Sequence, residues 1–312
     1  MSRPLAVRVE IVKLARLLER EPESLSYLDA VAPEEIRVLR DQTTEVLFKA
    51  NGTTLTRLAA ASRLLPVGVV ATIGERAFGP RLSARMAALL DPDRAVEMAS
   101  KLPVEFLADV AVDIDPRRAK DLLAGIPPQQ VAAITRELVR RQEYVTIGRF
   151  VGQLPDGAIR AGLDELDDAT LLRVAFVMDM KERLPELVAL LPDDRLDGVI
   201  EAAAKDELWA EALDLLNHLS AEQRSEFAKQ AGEHGQAVFD SMVRCAREFE
   251  MWQSLLPLTV HLPAPGKKRA ASAIRKLNLS PDERQQVLDW AHAEGLADDL
   301  GPVRDIFEER GG

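Results

Sequence analysis

Apolar residues recur along this chain at steps of three and four, and proline stands at the joints between the periodic stretches. Asp91-Pro92, Leu102-Pro103, Asp115-Pro116 and Ile126-Pro127 fall at intervals of 11, 13 and 11 residues. Laid over one another, residues 91–114 and 115–138 match at Asp, Pro, Arg, Ala, Pro and Ala. They also keep their apolar pairs: Met98 with Leu122, Leu102 with Ile126, Leu107 with Val131, Val110 with Ile134 and Ile114 with Leu138. The pattern predicts a repeated unit of two short helices. Asp91 and Asp115 are placed to cap the free amides of a new helix. The proline after each takes the first helical position, where a missing N–H costs nothing. Ser220 with Gln223 and Ser280 with Glu283 have the three-residue separation of a capping box.

A longer echo links the later chain. Residues 209–221 (WAEALDLLNHLSA) and 252–264 (WQSLLPLTVHLPA) agree at six of thirteen positions across a spacing of 43. Tyr144 precedes Leu154-Pro155 by ten residues, as Trp209 precedes Leu219-Ser220 and Trp252 precedes Leu262-Pro263. One aromatic per unit at a fixed offset predicts a packing anchor between neighbouring helices rather than a ligand-stacking face. A weaker unit without an aromatic ends at Leu191-Pro192.

The first 80 residues are less repetitive. Residues 5–20 predict an amphipathic helix with Leu5, Val9, Val12, Leu14, Leu17 and Leu18 on its apolar stripe. Residues 33–49 predict another, opened by Pro33 with Glu34 and Glu35 in its first turn, where carboxylates suit the helix dipole, and closed by Asn51-Gly52. A further helix restarts over residues 53–63. Val67, Val69, Val70 and Ile73 have strand character but no nearby strand to pair with, so residues 66–79 are read as a buried helix, with Gly79-Pro80 as a joint. The expected organisation is an N-terminal helical region over residues 1–80 and a helical-repeat array over 81–312.

Composition narrows the function. The 312 residues, 47% hydrophobic and 29% charged, suffice for one large or two ordinary domains with a packed core, and 4% aromatics make that core largely Leu, Val, Ala and Ile. The one cysteine, Cys245, excludes an intrachain disulfide and a cysteine-based metal cluster, which fits the cytoplasm. No secretory signal is expected at the start. The longest uncharged stretches are Leu64–Gly74, too short for the roughly 20 residues a bilayer needs, and Met251–Gly266, which holds three prolines, so no transmembrane helix is expected. Forty basic against 51 acidic residues give a net charge of −11, which repels phosphate backbones and argues against nucleic acid as a partner. Thirty arginines against ten lysines suggest a bacterium with a GC-rich genome.

Signatures of chemistry are sparse. The chain has no Gly-x-Ser-x-Gly, His-Glu-x-x-His, Gly-x-Gly-x-x-Gly or Gly-Lys-Ser/Thr, and Gly266-Lys267-Lys268 is not a P-loop. His218, His234, His261 and His292 form no i,i+4 ligand pair; His218 and His261 share one slot of two repeats, which favours a structural position over a shared site. Asp167-Asp168, Asp193-Asp194 and Asp298-Asp299 are the only candidates for a cation. Neighbours on a helix point about 100° apart, so capping and surface charge account for them better. Lys267, Lys268, Arg269, Arg275 and Lys276 form a basic cluster able to receive an acidic partner or lipid headgroup, with a solvated helix face the plainer reading.

Residues 87–140, beginning LLDPDRAVEMASKLPVEFLADVAVDIDPRRAKDLLAGIPPQQVAAI, resemble the N-terminal cytosolic domain of MgtE-type magnesium transporters, built on units of "Leu-Asp-Pro…Ala…Leu-Pro…Ala". The helical repeats of the flagellar rotor switch protein look similar too. The match is specific over about 50 residues and diffuse to about residue 235. It implies a right-handed superhelix of short helices, in a domain whose role in the transporter is that of a magnesium-responsive plug. The regulatory and membrane domains that follow it there do not follow here, so transport is not expected. The expected fold is therefore all-α, an irregular right-handed superhelix of helix pairs with an N-terminal helical bundle. The expected function is a non-catalytic protein-interaction or regulatory module with a protein partner, homo-oligomerisation being left open. The alternative is a magnesium or small-ligand sensor. No catalytic, cofactor-binding or metal-binding residue is assigned, and an enzyme with a pocket assembled from distant residues is the third class.

Overall fold

Short turns of helix, each with one apolar side, leave this chain no way to bury its greasy surface except against one another, and it does so throughout. The computed structural model describes residues 5–49, 52–192 and 195–308. Helix makes up 76% of it, with no strand among the described residues, so the fold is all-α. The chain divides into two units: one runs to Leu166 and includes Val177–Asp179, the other holds Asp167–Phe176 and everything from Met180 on. Residue 80 lies inside the first unit.

The N-terminal helix, Leu5–Leu17, buries a different stripe from the expected one. Val7, Ile11, Leu14 and Ala15 face inward with Leu25 and Ile36 in a small core of their own, whereas Leu18 is exposed and Val9 and Val12 are half-buried. Glu10 and Lys13 share the buried side. Pro33–Lys49 and Gly52–Ser62 follow as expected; the stop expected at Asn51 lies outside the described residues. Residues 66–79 are helical but not buried as a whole: Val67–Ile73 is an α-helix with Val70 and Ala71 inside and Val69 exposed. A wider turn of π-helix, Gly74–Phe78, continues it and ends at Gly79, whose φ of 71° lies in the left-handed region that a side chain would disfavour.

The proline punctuation has two forms. Asp91 caps the Pro92–Ala99 helix, its side chain accepting from the Arg94 N–H, with Pro92 at the first position. The second copy departs from the expectation. Asp115 accepts from both the backbone N–H and Nε of Arg117, at 3.2 Å each, and lies 3.6 Å from Arg118 Nε. The chain turns tightly over Pro116–Ala119, and the α-helix begins only at Lys120. In the second form, proline is itself the residue before the helix. Pro66, Pro103, Pro127, Pro155 and Pro263 stand so, each with φ near −60° and ψ between 139° and 160°, following a Leu or Ile. Proline forces the residue before it out of helical backbone, so Leu-Pro or Ile-Pro closes one helix and opens the next. Ser220 and Ser280 form complete capping boxes with Gln223 and Glu283.

Helices stack on the next but one. In the first unit Gly79–Ala87 packs on Val104–Asp113, that helix on Pro128–Arg140, and that one on Asp156–Leu163. A second row runs Val67–Ile73, Pro92–Ala99, Lys120–Gly125. In the second unit Asp168–Phe176, Arg195–Lys205, Ala221–Ala231 and Trp252–His261 form one row, and Trp209–Leu216, Gln236–Glu248, Ala264–Lys276 and Pro302–Glu308 the other. Side-chain hydrogen bonds follow the same rhythm. Arg94 to the Ser62 carbonyl, Gln130 to the Ala99 carbonyl, Arg141 to Asp109 and Arg149 to the Ile114 carbonyl span 31 to 35 residues. Lys181 to Asp214, Trp209 to Ser241, Gln236 to the Arg269 carbonyl and Lys276 to Asp240 span 32 to 36. Arginine suits this role because its planar fork reaches carbonyls at the end of a neighbouring helix.

The turns also repeat. Helices ending at Arg140, Lys205 and Glu248 are followed by Gln142, Glu207 and Glu250, all with φ between 56° and 59°, and two residues later by Tyr144, Trp209 and Trp252, each the first residue of its helix. In each turn the N–H of the intervening residue bonds a carbonyl five residues back: Glu143 to Leu138, Leu208 to Ala203, Met251 to Ala246. This is the Schellman closure with a non-glycine residue in the left-handed position. The aromatics are packing anchors: Trp209 is 1% exposed with its Nε1 donating to Ser241, and Trp252 meets Phe307 edge-on at 5.9 Å.

Candidate functional site

Between the two helix rows of the first unit lies an apolar cavity of about 180 Å³, bounded by Val70, Met86, Leu107, Leu123, Phe150 and Ile159 among others. Only Ser83 and Thr135 bring side-chain oxygens to its lining, and the Ser83 hydroxyl donates to the Gly74 carbonyl at 3.2 Å. The space follows from residue choice. Alanines fill many of the inward positions of these short helices (Ala71, Ala95, Ala99, Ala111), so facing side chains do not meet. Between residues 67 and 166 no apolar side chain larger than alanine is less than 2% exposed; Leu107, Leu122 and Leu123 retain 7–9%. The second unit is built from the same stacked rows, yet Trp209, Phe239, Met242 and Leu255 are at 0–1%. Two arrays of one architecture thus differ in whether the space between the rows is filled.

Phe78 belongs to the cavity lining and also to a polar cleft of about 470 Å³ that presents Arg81, Asp109, Asp113, Arg141 and Glu143. Burial pushes the Asp113 carboxyl up from its ordinary value, although Arg81 pulls against the shift.

The first unit also contains a buried charge cluster that the apolar pattern gave no reason to expect. Lys13 Nζ lies 2.7 Å from Asp179 Oδ1 and 3.1 Å from Glu10 Oε1. Arg40 reaches both carboxylates, at 3.1 Å and 3.2 Å, and Arg37 approaches Glu10 at 3.2 Å. The Glu10 and Lys13 side chains are 3% and 2% exposed. Burial acts to raise the Asp179 pKa, but Lys13 and Arg40 outweigh it and hold the carboxyl below its ordinary value. Nearby, burial lowers the pKa of Arg149, whose guanidinium donates to the carbonyls of Val112 and Ile114. The sequence signal for the cluster was Glu10 and Lys13 three residues apart on one helix side. Asp179, 166 residues from Lys13, had none.

The remaining features singled out in the sequence stay apart. Asp167 caps its helix, accepting from the Thr170 N–H at 2.7 Å, and Asp168 pairs with Arg195 at 2.7 Å. Asp298 pairs with Arg304, and Asp193-Asp194 lies outside the described residues. His218, His261 and His292 are exposed at or near helix ends, and His234 Nε2 lies 2.9 Å from Asp197. Burial, then the Lys181 charge, lowers the His218 pKa. In the basic cluster Lys267, Arg269 and Lys276 are engaged with the Asp299 carbonyl, the Gly232 carbonyl and Asp240. These three tie helices together, while Lys268, Arg275 and Lys276 lie exposed on the helix surface. Cys245 is half-buried, and burial with Glu211 and Glu248 nearby pushes its thiol up to about 12. Among the described residues no three His, Cys, Asp or Glu side chains are grouped to hold a metal ion, and no helix is long and apolar enough to cross a membrane. No family model, curated protein or solved structure matches this chain.

Proposed function

We propose that this chain is a non-catalytic helical-repeat protein that acts as a protein-interaction or regulatory module in the cytoplasm, its stacked helices serving contact rather than chemistry. The observation that carries the reading is the ladder of side-chain bonds at separations of 31 to 36 residues in both units. Such bonding ties each helix pair to the next, the arrangement by which solenoids expose long faces for partners. The same reading takes the resemblance of residues 87–140 to the MgtE-type N-terminal domain as a likeness of repeat and treats a right-handed superhelix as its expected form. Affinity capture from the native cell extract, with the heat-unfolded chain as control, tests it. Recovery of the same protein in stoichiometric amount with the folded chain only is expected; no specific partner in repeated captures overturns it.

A second reading, a small-ligand sensor, is favoured by the apolar cavity of the first unit. Its magnesium form is tested by melting the protein with and without millimolar magnesium against sodium at equal ionic strength. A shift specific to magnesium supports the ion, and equal shifts remove it.

A further inference from the structure

We propose that the cavity between residues 70 and 166 binds a linear alkyl chain, the tail of a small amphiphile. The inference deepens the small-ligand reading and rests on it; the protein-partner reading stands whether or not the tail binds.

The lining selects the chemistry. It is almost wholly methyl and methylene, with only Phe78 and Phe150 aromatic, no charged group, and the hydroxyls of Ser83 and Thr135 as its polar side-chain groups. An ionised or strongly polar ligand would lose its water there without replacement hydrogen bonds, whereas an alkyl chain loses none. Apolar cavities of about 150 Å³ stay dry and take a six-carbon ring, so about 180 Å³ accommodates on the order of six to eight carbons. The shape favours a chain over a ring. The lining draws on eight α-helices in succession, from Val70 on the first to Ile159 on the last, so the space runs along the rows instead of collecting at one crossing. The second unit supplies the internal comparison: the same stacking closes around Trp209, Phe239 and Met242. Stacked rows in this chain are therefore able to pack shut, and between residues 67 and 166 small residues keep them apart. The polar head has a place beside the tail. Phe78 lines both the cavity and the cleft of Arg81, Asp109, Asp113, Arg141 and Glu143, where a neutral hydroxyl stays in contact with water and polar groups and a carboxylate meets three of its own charge against two guanidinium groups.

The test is titration of the whole chain with octanol, octanoate and benzene. Heat is read by calorimetry, and site by methyl NMR of Leu, Ile and Val. Octanol and octanoate are expected to bind, with shifts at Leu107, Leu123 and Ile159 and none at Leu213 or Leu255. Octanol tighter than octanoate assigns the head to the mixed-charge cleft, and equal affinity or tighter octanoate assigns the tail alone; each of these outcomes supports the site. Ala99→Leu and Ala111→Leu, which fill the cavity, are expected to weaken binding at least tenfold while leaving the helical circular dichroism unchanged. The NMR shifts locate the site even if a variant misfolds. Alkyl binding whose shifts fall outside the lining, or that survives both variants, overturns the proposal, as does no alkyl binding. Benzene bound in the cavity without octanol or octanoate overturns the alkyl class and leaves the small-ligand reading intact, whereas no ligand of the three overturns both.

Discussion

Replacing Lys13 with methionine isolates the contribution of the buried charge cluster, because methionine nearly fills the lysine volume and removes only the ammonium. In the wild type that ammonium lies 2.7 Å from Asp179 and 3.1 Å from Glu10, on a side chain 2% exposed. Without it both carboxylates depend on Arg40, 3.2 Å from Glu10 and 3.1 Å from Asp179, with Arg37 adding a partly exposed contact to Glu10. Removing one partner of a buried ion pair costs about 3–5 kcal/mol. Asp179 is 28% exposed and keeps Arg40, so water and one guanidinium take up part of the loss and the lower end, about 3 kcal/mol, is expected. The assay is hydrogen exchange of the Leu5–Leu17 amides across a urea series, which reports the stability of this element directly. Adding Asp179→Asn should recover at least about 1 kcal/mol, the coupling expected of groups in one network. The pH dependence has a definite sign. A carboxyl held below its ordinary value contributes stability that is complete above the unfolded pKa and disappears as pH falls through the folded one. Lys13→Met raises the folded value toward the unfolded one, so the part of this helix's stability that is lost on acidification should shrink. A loss under about 1 kcal/mol with no coupling to Asp179 would refute the view that the ammonium holds the two carboxylates together.

Four further outcomes follow from local geometry. Gln142→Gly, Glu207→Gly and Glu250→Gly each relieve a left-handed backbone position and should raise stability by about 0.5–1 kcal/mol in thermal melts; a lowered midpoint at all three contradicts the Schellman reading. Ser220→Ala and Ser280→Ala remove complete capping boxes and should cost about 1 kcal/mol each, measured by urea unfolding. A β-carbon on Gly232 would stand 2.5 Å from Pro263 Cγ, so Gly232→Ala should cost about 1–3 kcal/mol, and an unchanged melt would mean that the two helices approach less closely than described. Cys245, with its thiol pushed up to about 12, should react with iodoacetamide at pH 8 far more slowly than free cysteine; equal rates by mass spectrometry would argue against a buried thiol.

Much of the local architecture was legible before any coordinates. Capping chemistry acts over three residues, so Asp91, Ser220 and Ser280 could be read directly, and all three cap as expected. The fixed offset of Tyr144, Trp209 and Trp252 reported a real repeat, because a shared connector places each at the start of its helix. The misreadings share a cause. Asp115 has the pattern of a cap but turns toward Arg117 and Arg118, a competition among side chains that spacing does not encode. Val9 and Val12 looked like core, yet the inward stripe carries Glu10 and Lys13, because partners 27 to 166 residues away satisfy those charges.

By itself, then, the sequence determined the all-α class, the helix starts at Asp91, Ser220 and Ser280 and the anchoring role of Trp209 and Trp252, since each depends on neighbours within about one helical turn or one repeat. Tertiary structure alone decided where the charges could be buried and which array would close. Whether facing rows meet depends on the summed volumes of residues from many helices: alanines at Ala95, Ala99 and Ala111 leave space in the first unit, whereas in the second Trp209, Phe239 and Met242 are packed to 0–1% exposure.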